Sequence, residues 1–316
     1  MKVCLSCLKK VEKDNYCSSC LKKLFYGKNP ILDISKKEFS HVQYELLDRF
    51  SISGVQDKIS LKLDGIKLIP TDKDGEYILK PIPGISVPIF QNDIPANEHL
   101  TMQIAKQLFN IQTAENALIN FSDGEQAYIT KRFDRKNGSK LRQEDFCQLS
   151  GKTPEMAGIN FRYDGSYQEA GGIVKRFCAA YKVELEKLFT LILFNYLLGN
   201  GDAHLKNFSL IESVSGDFVL SPAYDLINTT VHFPNESRMA LDLFIDYETE
   251  SFKENGFYKK TDFMKLAEFY EIKHNRTERI IQSFLQKNEN VKYMIKSSLL
   301  SKDAKDRYLE IFEDRL

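Results

Sequence analysis

The sequence predicts an α+β chain of two unequal lobes, strand-rich first and mainly helical after, with a small metal knuckle at its N-terminus. Three observations lead there. Four of the six cysteines, Cys4, Cys7, Cys17 and Cys20, fall in the first 20 residues as two Cys-x-x-Cys pairs. Short alternating apolar runs parted by Asp-Gly turns fill residues 58–133, and beyond Arg135 the apolar spacing becomes helical. A length of 316 residues with 42% hydrophobic and 28% charged residues is globular and excludes disorder as the main state. The 44 Lys+Arg balance 44 Asp+Glu, so no chain-wide basic coat for nucleic acid or anionic lipid exists.

A two-residue gap lets both thiolates of a pair reach one ion, and two pairs complete a tetrahedral S4 site that favours zinc in a reducing compartment. With no open position, its expected role is structural. A short helix over 21–26 continues the second pair, and Gly27-Lys28-Asn29-Pro30 reads as a hinge, giving a knuckle of residues 1–28. The first forty residues hold nine Lys against Glu12, Asp14, Asp33 and Glu38, which suits a solvated lysine-rich face or a contact face for acidic partners. Cys147 and Cys178 stand alone in apolar stretches and read as buried small hydrophobes. Met1-Lys2-Val3-Cys4 lacks the apolar core of a signal peptide, and the longest apolar run, 191–198, contains Asn195 and is far shorter than the roughly 20 residues of a membrane span. A cytoplasmic protein without membrane contact is expected.

Residues 29–136 form the strand-rich lobe. Ile59-Ser60-Leu61-Lys62-Leu63 alternates, Asp64-Gly65 turns the chain, and 66–69 returns. After the Asp74-Gly75 turn, Glu76-Tyr77-Ile78-Leu79-Lys80 ends in a lysine before Pro81. Residues 96–109 have helical spacing with Leu100, Ile104 and Leu108 on one face, and strands at 117–121 and 127–133 follow.

Residues 137–316 form the helical lobe, with helices expected at 143–149, 172–181, 183–198, 263–270 and 276–285. The apolar face of 183–198 is broad enough for a core helix, and Gly199-Asn200-Gly201 ends it. The loop that follows, Asp202-Ala203-His204-Leu205-Lys206-Asn207, has the Asp-to-Asn spacing of a protein-kinase catalytic loop. Phosphoryl transfer needs a carboxylate that orients the attacking hydroxyl and takes its proton, and an amide oxygen that holds magnesium against the phosphates. Asp202 and Asn207 fit these two roles. A hairpin over 208–220, turning at Ser215-Gly216-Asp217, then delivers Tyr224-Asp225, with Asp225 as the second magnesium ligand. Taken in order, with that hairpin between them, these residues read as a kinase site.

Seven motifs follow in order: Ser51-Ile52-Ser53-Gly54-Val55-Gln56-Asp57-Lys58, Ile78-Leu79-Lys80-Pro81, Asn97-Glu98, Lys131-Arg132-Phe133-Asp134-Arg135, Gln143-Glu144-Asp145, the 201–208 loop and Tyr224-Asp225. Together they resemble the HipA-like toxin kinases of bacterial type II toxin–antitoxin systems. The resemblance implies a two-lobed, protein-kinase-like fold and an ATP- and magnesium-dependent kinase that phosphorylates serine on a protein, an aminoacyl-tRNA synthetase for known members. The longest members carry an extra N-terminal subdomain before the first motif. With only the knuckle and a short segment there, this chain resembles the split form, HipT, whose partners are a separate small protein equivalent to that subdomain and a DNA-binding antitoxin. Nucleic acid is then expected only through the antitoxin complex. A four-cysteine knuckle is not general among these kinases.

The resemblance also assigns roles. Lys80 is expected to pair with the ATP α- and β-phosphates, and Glu98 either to hold Lys80 in an ion pair or to cap its helix. His204, with Asp202 and Lys206 in the candidate catalytic set, either donates to the transferring phosphate or hydrogen-bonds within its loop. Arg132-Phe133-Asp134 is the expected hinge between lobes, with Phe133 packing at the nucleotide edge. Backbone N–H groups of Ser53, Gly54, Val55 and Gln56, with Lys58, are expected to cradle phosphates in place of a glycine-rich loop. Family members autophosphorylate a serine of this loop. Ser51 and Ser53 are both candidates, and the added charge of about −1.5 to −2 would oppose the next nucleotide. His41, His232 and His274 lack metal-ligand spacing. A small-molecule kinase shares the Asp-to-Asn spacing, and an idle ATP-binding regulator in a repressor complex is a further alternative, opposed by the intact Lys80, Asp202, Asn207 and Asp225.

Overall fold

The alternation of the first half builds one antiparallel sheet with a different layer on each face. The computed structural model describes residues 2–47, 57–136 and 138–316. Helices α1 (Ser18–Phe25) and α2 (Lys36–Leu47) precede strands β1 (Ile59–Asp64), β2 (Lys67–Pro70) and β3 (Tyr77–Lys80). Helix α3 (Ile94–Phe109) follows, then β4 (Asn116–Asn120) and β5 (Gln126–Lys131). The five strands lie in the order β2-β1-β3-β5-β4, every neighbouring pair antiparallel. The β1–β2 hairpin turns at Gly65, whose φ of 59° lies in the left-handed region that glycine enters without strain.

Side chains alternate across a strand, so each face of this sheet has its own core. Ile59, Leu61, Tyr77, Leu79, Ala117, Ile119, Ala127 and Ile129 pack outward against Cys4, Tyr16, Cys20, Leu24 and Phe25 of the cysteine segment. That segment is bonded to the sheet as well: the Tyr16 hydroxyl donates to the Leu118 carbonyl at 2.7 Å, and the Tyr77 hydroxyl to the Leu24 carbonyl at 2.7 Å. On the opposite face, Leu118 and Tyr128 join α3 and the helical half in a second core.

Beyond a short ribbon of β6 (Arg135–Lys136) and β7 (Ser139–Lys140) come β8 (Gln143–Asp145), α4 (Phe146–Ser150), α5 (Pro154–Ala157), α6 (Tyr167–Phe177) and α7 (Tyr181–Leu197). The stretch 143–149, expected as one helix, divides between β8 and α4. Asp145 is the reason. Its carboxylate accepts from the Gln148 N–H and the Gln148 side chain accepts from the Asp145 N–H, both at 2.9 Å, a reciprocal cap that starts a helix only after Asp145. The helix expected over 172–181 is α6 and begins earlier, because Ser166 and Glu169 make the same kind of cap. Strands β9 (Ser209–Glu212) and β10 (Phe218–Leu220) join β8 in a second sheet, ordered β10-β9-β8. Helices α8 (Glu250–Asn255), α9 (Lys260–Phe269), α10 (His274–Gln286), α11 (Asn288–Ser297) and α12 (Lys302–Asp314) close the lobe.

Helix α7 is the buried core helix that its composition implies, with Leu188, Phe189, Ile192 and Phe194 fully buried. Its Glu184, also buried, accepts from the Leu220 N–H at 2.9 Å and so fixes β10. Cys147 and Cys178 are buried, as expected of small hydrophobes. Among the described residues no helix is long and apolar enough to cross a membrane.

Candidate active site

The cleft begins with β3. Tyr77 and Leu79 face the outer core, so Lys80 points the other way, toward α3 and the helical lobe. Its Nζ donates to Glu98 Oε1 of α3 at 2.7 Å and also bonds Asp225 Oδ1. Lys80 is 5% and Glu98 2% exposed, so Glu98 serves as a buried ion-pair partner rather than as a helix cap. Burial would lower the Lys80 ammonium, but Asp225 and Glu98 outweigh it and raise it. Burial pushes the Glu98 carboxyl up to about 7 against the pull of Lys80. Enclosure would raise Asp225 too, but there Lys80 prevails and holds it below the usual carboxylate range.

Asp225 sits at φ 55°, a left-handed position that aspartate tolerates better than most residues. Its approach is strapped down: the Ala223 N–H donates to the Gln112 carbonyl at 2.7 Å, and Ala114 N–H to the Ala223 carbonyl at 2.9 Å. Just beyond, the Asn97 amide of α3 donates to the Asn228 carbonyl at 2.9 Å and accepts from the Asn228 N–H at 3.1 Å. This two-way clamp between fully buried residues ties the helix bearing Glu98 to the segment bearing Asp225.

The catalytic-loop candidate leaves α7 through two glycines. Gly199, at φ 76°, lies so close to Asn228 that a Cβ would meet its side chain at 2.4 Å, and one on Gly201 would meet the Ser237 carbonyl at 2.4 Å. Beneath them runs a polar network. The Gly201 N–H donates to Thr229 Oγ1 at 2.8 Å, both Thr229 and Thr230 hydroxyls donate to Glu236, and Arg315 donates to Thr230 Oγ1 at 2.9 Å. On this base Asp202 stands exposed, accepting from the Tyr163 hydroxyl at 2.6 Å. His204 is buried edge-on to the Tyr163 ring, and burial lowers its imidazole although Asp202 opposes. The Asn207 side chain accepts from the His204 N–H at 3.2 Å. Lys206 Nζ lies 3.9 Å from Asp145 and over the Phe161 ring.

These groups line one cleft of about 410 Å3 that gathers Lys58, Lys80, Glu98, Asp202, His204, Lys206, Asn207 and Asp225. An adjoining hollow of about 360 Å3 reaches Phe133, whose ring lies 5.9 Å from that of Tyr224, and burial lowers Lys58 between the two. Arg132 grips Asp134 through two bonds of 2.9 and 2.7 Å, bracing the expected hinge. Ser51, Ser53, Gly54, Val55 and Gln56 lie outside the described residues. Asp145, Phe161, Arg162 and Tyr163, all at or beside this cleft, have no role in the sequence motifs' chemistry. Asp145 belongs to the Gln143-Glu144-Asp145 motif, whereas the other three carry no local pattern that points to chemistry.

Asp225 is ionised and 42% exposed toward the cleft, and the Asn207 amide stands in the same cleft, a hard-oxygen pair that suits magnesium. At the knuckle, the thiol sulfurs of Cys4, Cys7, Cys17 and Cys20 all lie within 4.8 Å of one another. Cys7 and Cys17 are 3.8 Å apart, the edge of a tetrahedron with zinc–sulfur bonds of about 2.3 Å. The Leu8 backbone at φ 61° and the Cys4 N–H bonded to the Lys9 carbonyl at 2.8 Å make the tight turn that this closure needs.

A strand lysine bonded to a helix glutamate, facing an Asp-to-Asn loop and a following aspartate across a two-lobed cleft, is the arrangement of a protein-kinase-like fold. A family model described as the HipA-like C-terminal domain matches residues 50–291, and the chain belongs to that family. A putative kinase of Haemophilus influenzae is 29% identical over 306 residues, covering 91% of this chain and 87% of that protein. The serine/threonine-protein kinase toxin HipA of Shewanella oneidensis is 26% identical over 225 residues, and the match spans 64% of this chain but only 48% of that relative. Among solved structures, HipA of Shewanella oneidensis, in a complex with HipB and operator DNA, superposes with a TM-score of 0.61 at 22% identity, over 84% of this chain and 65% of that one. The Helicobacter pylori proinflammatory kinase CtkA gives 0.55 at 14% identity, over 91% and 93%. The mixed α/β fold is thus that of these kinases.

Proposed function

We propose that the chain is an ATP-dependent serine/threonine protein kinase acting as the toxin of a type II toxin–antitoxin system. The observation that carries this reading is the convergence of Lys80, Glu98, Asp202, Asn207 and Asp225 in one cleft. The kinase names of its relatives, and the HipB and DNA that accompany the HipA structure, support the class and the antitoxin partner. Asp202, exposed at the cleft mouth, takes the proton of the acceptor hydroxyl. Lys80, held by Glu98, meets the nucleotide phosphates, and His204 and Lys206 lend donors beside them. Asp225 and Asn207 would hold magnesium, which neutralises charge on the phosphates. The four-cysteine knuckle holds zinc in a structural role. A serine of a protein is the acceptor, an aminoacyl-tRNA synthetase by family resemblance, and Ser51 or Ser53 takes phosphate in self-regulation.

Transfer from labelled ATP to a cell lysate, to a purified synthetase panel and to metabolite pools tests the reading. Label on protein serine, lost in Asp202→Asn and in Asp225→Asn, is the expected result. Label confined to a small molecule would make this a metabolite kinase, and no transfer with intact nucleotide binding would leave a regulator.

A further inference from the structure

Asp202 already has a hydroxyl in the place where an acceptor hydroxyl belongs. A general base must lie roughly 2.6–3.2 Å from the oxygen whose proton it takes, and the Tyr163 hydroxyl donates to Asp202 Oδ1 at 2.6 Å. The rest of the ring is fitted to this position. It stands edge-on to His204 with centroids 5.1 Å apart, and the Arg162 guanidinium lies 5.1 Å from its centre. Burial and the Asp202 carboxylate both raise the Tyr163 phenol, so at neutral pH it keeps the proton it donates. Tyr163 ends a 3-10 turn (Phe161–Tyr163) in the connection of residues 151–166 between α4 and α6, in which Gly151 and Gly158, at φ 71° and 70°, provide left-handed turns. Its ties are local, the Tyr163 N–H donating to the Asn160 carbonyl at 2.8 Å and Lys152 Nζ bonding the neighbouring Asp164 carbonyl, whereas Asp202 itself rests on the Gly201–Thr229–Glu236 network.

We propose that Tyr163 marks the acceptor subsite and fills it until a substrate arrives: the incoming hydroxyl replaces the phenol on Asp202. The inference rests on the phosphotransfer reading above and adds the location of the acceptor site and its occupant. In the productive complex, the acceptor gives its proton to Asp202. Its oxygen bonds to the γ-phosphorus of ATP as the bond from that phosphorus to the β,γ-bridging oxygen breaks, and ADP leaves. The unreplaced phenol occupies Asp202 Oδ1, so no water is oriented through that oxygen and ATP is spared hydrolysis by that route when no acceptor is bound. The ligand class is an alcohol on a chain slender enough to enter between His204 and Arg162, which a serine or threonine side chain satisfies once the phenol has withdrawn.

The test uses the whole 316-residue chain, purified without chelator, with magnesium and ATP but no protein acceptor. Tyr163→Phe keeps the ring and removes only the hydroxyl. Losing a hydrogen bond to a charged group should raise the rate of ATP hydrolysis roughly ten-fold as water enters. Adding Asp202→Asn should return it to background, with nucleotide affinity unchanged in both. A hydrolysis rate in Tyr163→Phe that is unchanged or lower, with nucleotide affinity intact, would overturn the inference and leave Tyr163 as a positioning partner of the base. Failure of the unsubstituted protein to bind magnesium-ATP at all would instead remove the phosphotransfer reading and this inference with it.

Discussion

Replacing Lys80 and replacing Glu98 should have unequal consequences, although the two side chains share one ion pair at 2.7 Å. Lys80 has two carboxylate partners and Glu98 is almost fully enclosed. Removing one member of a buried pair costs about 3–5 kcal/mol because the other is left as an uncompensated charge. Lys80→Met leaves Glu98 in that state. Glu98→Gln does not, since Lys80 keeps Asp225, and Gln imitates the protonated form that burial already favours. A cost within about 1 kcal/mol is expected for Glu98→Gln, the size of one hydrogen bond exchanged for another.

The pH dependence separates the two further. In the wild type Glu98 titrates at about 7 when folded, above its ordinary 4.5. A raised carboxyl contributes stability that is fully present below 4.5 and is lost as pH rises through 7, so above 7 its contribution is flat. In Lys80→Met the cation is gone and Glu98 titrates higher still. Stability should therefore go on falling above pH 7, by about 1.4 kcal/mol per unit, where the wild type and Glu98→Gln do not follow. Urea unfolding at pH 6, 7 and 8 measures this. Both variants should lose phosphoryl transfer, Glu98→Gln by roughly ten-fold or more, because Lys80 is then held by Asp225 alone. Equal destabilisation of the two variants with equal pH slopes would refute the reasoning.

Protein purified without chelator should carry one zinc by elemental analysis, and Cys17→Ser should lower both zinc content and thermal stability; metal-free protein of unchanged stability would remove the knuckle as a metal site. Gly201→Ala should cost about 1–3 kcal/mol and lower transfer in urea and kinetic assays, since the new methyl meets the Ser237 carbonyl under the catalytic loop. Incubation with ATP and magnesium followed by mass mapping should place phosphate on Ser51 or Ser53 in the active protein and on neither in Asp202→Asn. Asp at both positions should weaken nucleotide binding, whereas Ala at both should not.

The sequence by itself determined what local chemistry encodes. Period-two alternation and Asp-Gly turns specified β1, β2 and β3, the apolar breadth of residues 183–198 specified a core helix, and the spacing from Asp202 to Asn207 and Asp225 picked out three side chains that line one cleft. Where a helix begins was less legible. At 143–149 and 172–181 the competing signal was a side-chain cap, which depends on two residues meeting in space rather than on periodicity. Only the tertiary structure could choose between an ion pair and a helix cap for Glu98, because a carboxylate near a helix start suits both until a buried lysine fixes one. It alone spread the cysteine segment over the sheet's outer face and brought Tyr163 onto the carboxylate of Asp202, 39 residues further along the chain. Such contacts join distant segments through packing, and no spacing along the chain records which distant side chain will arrive.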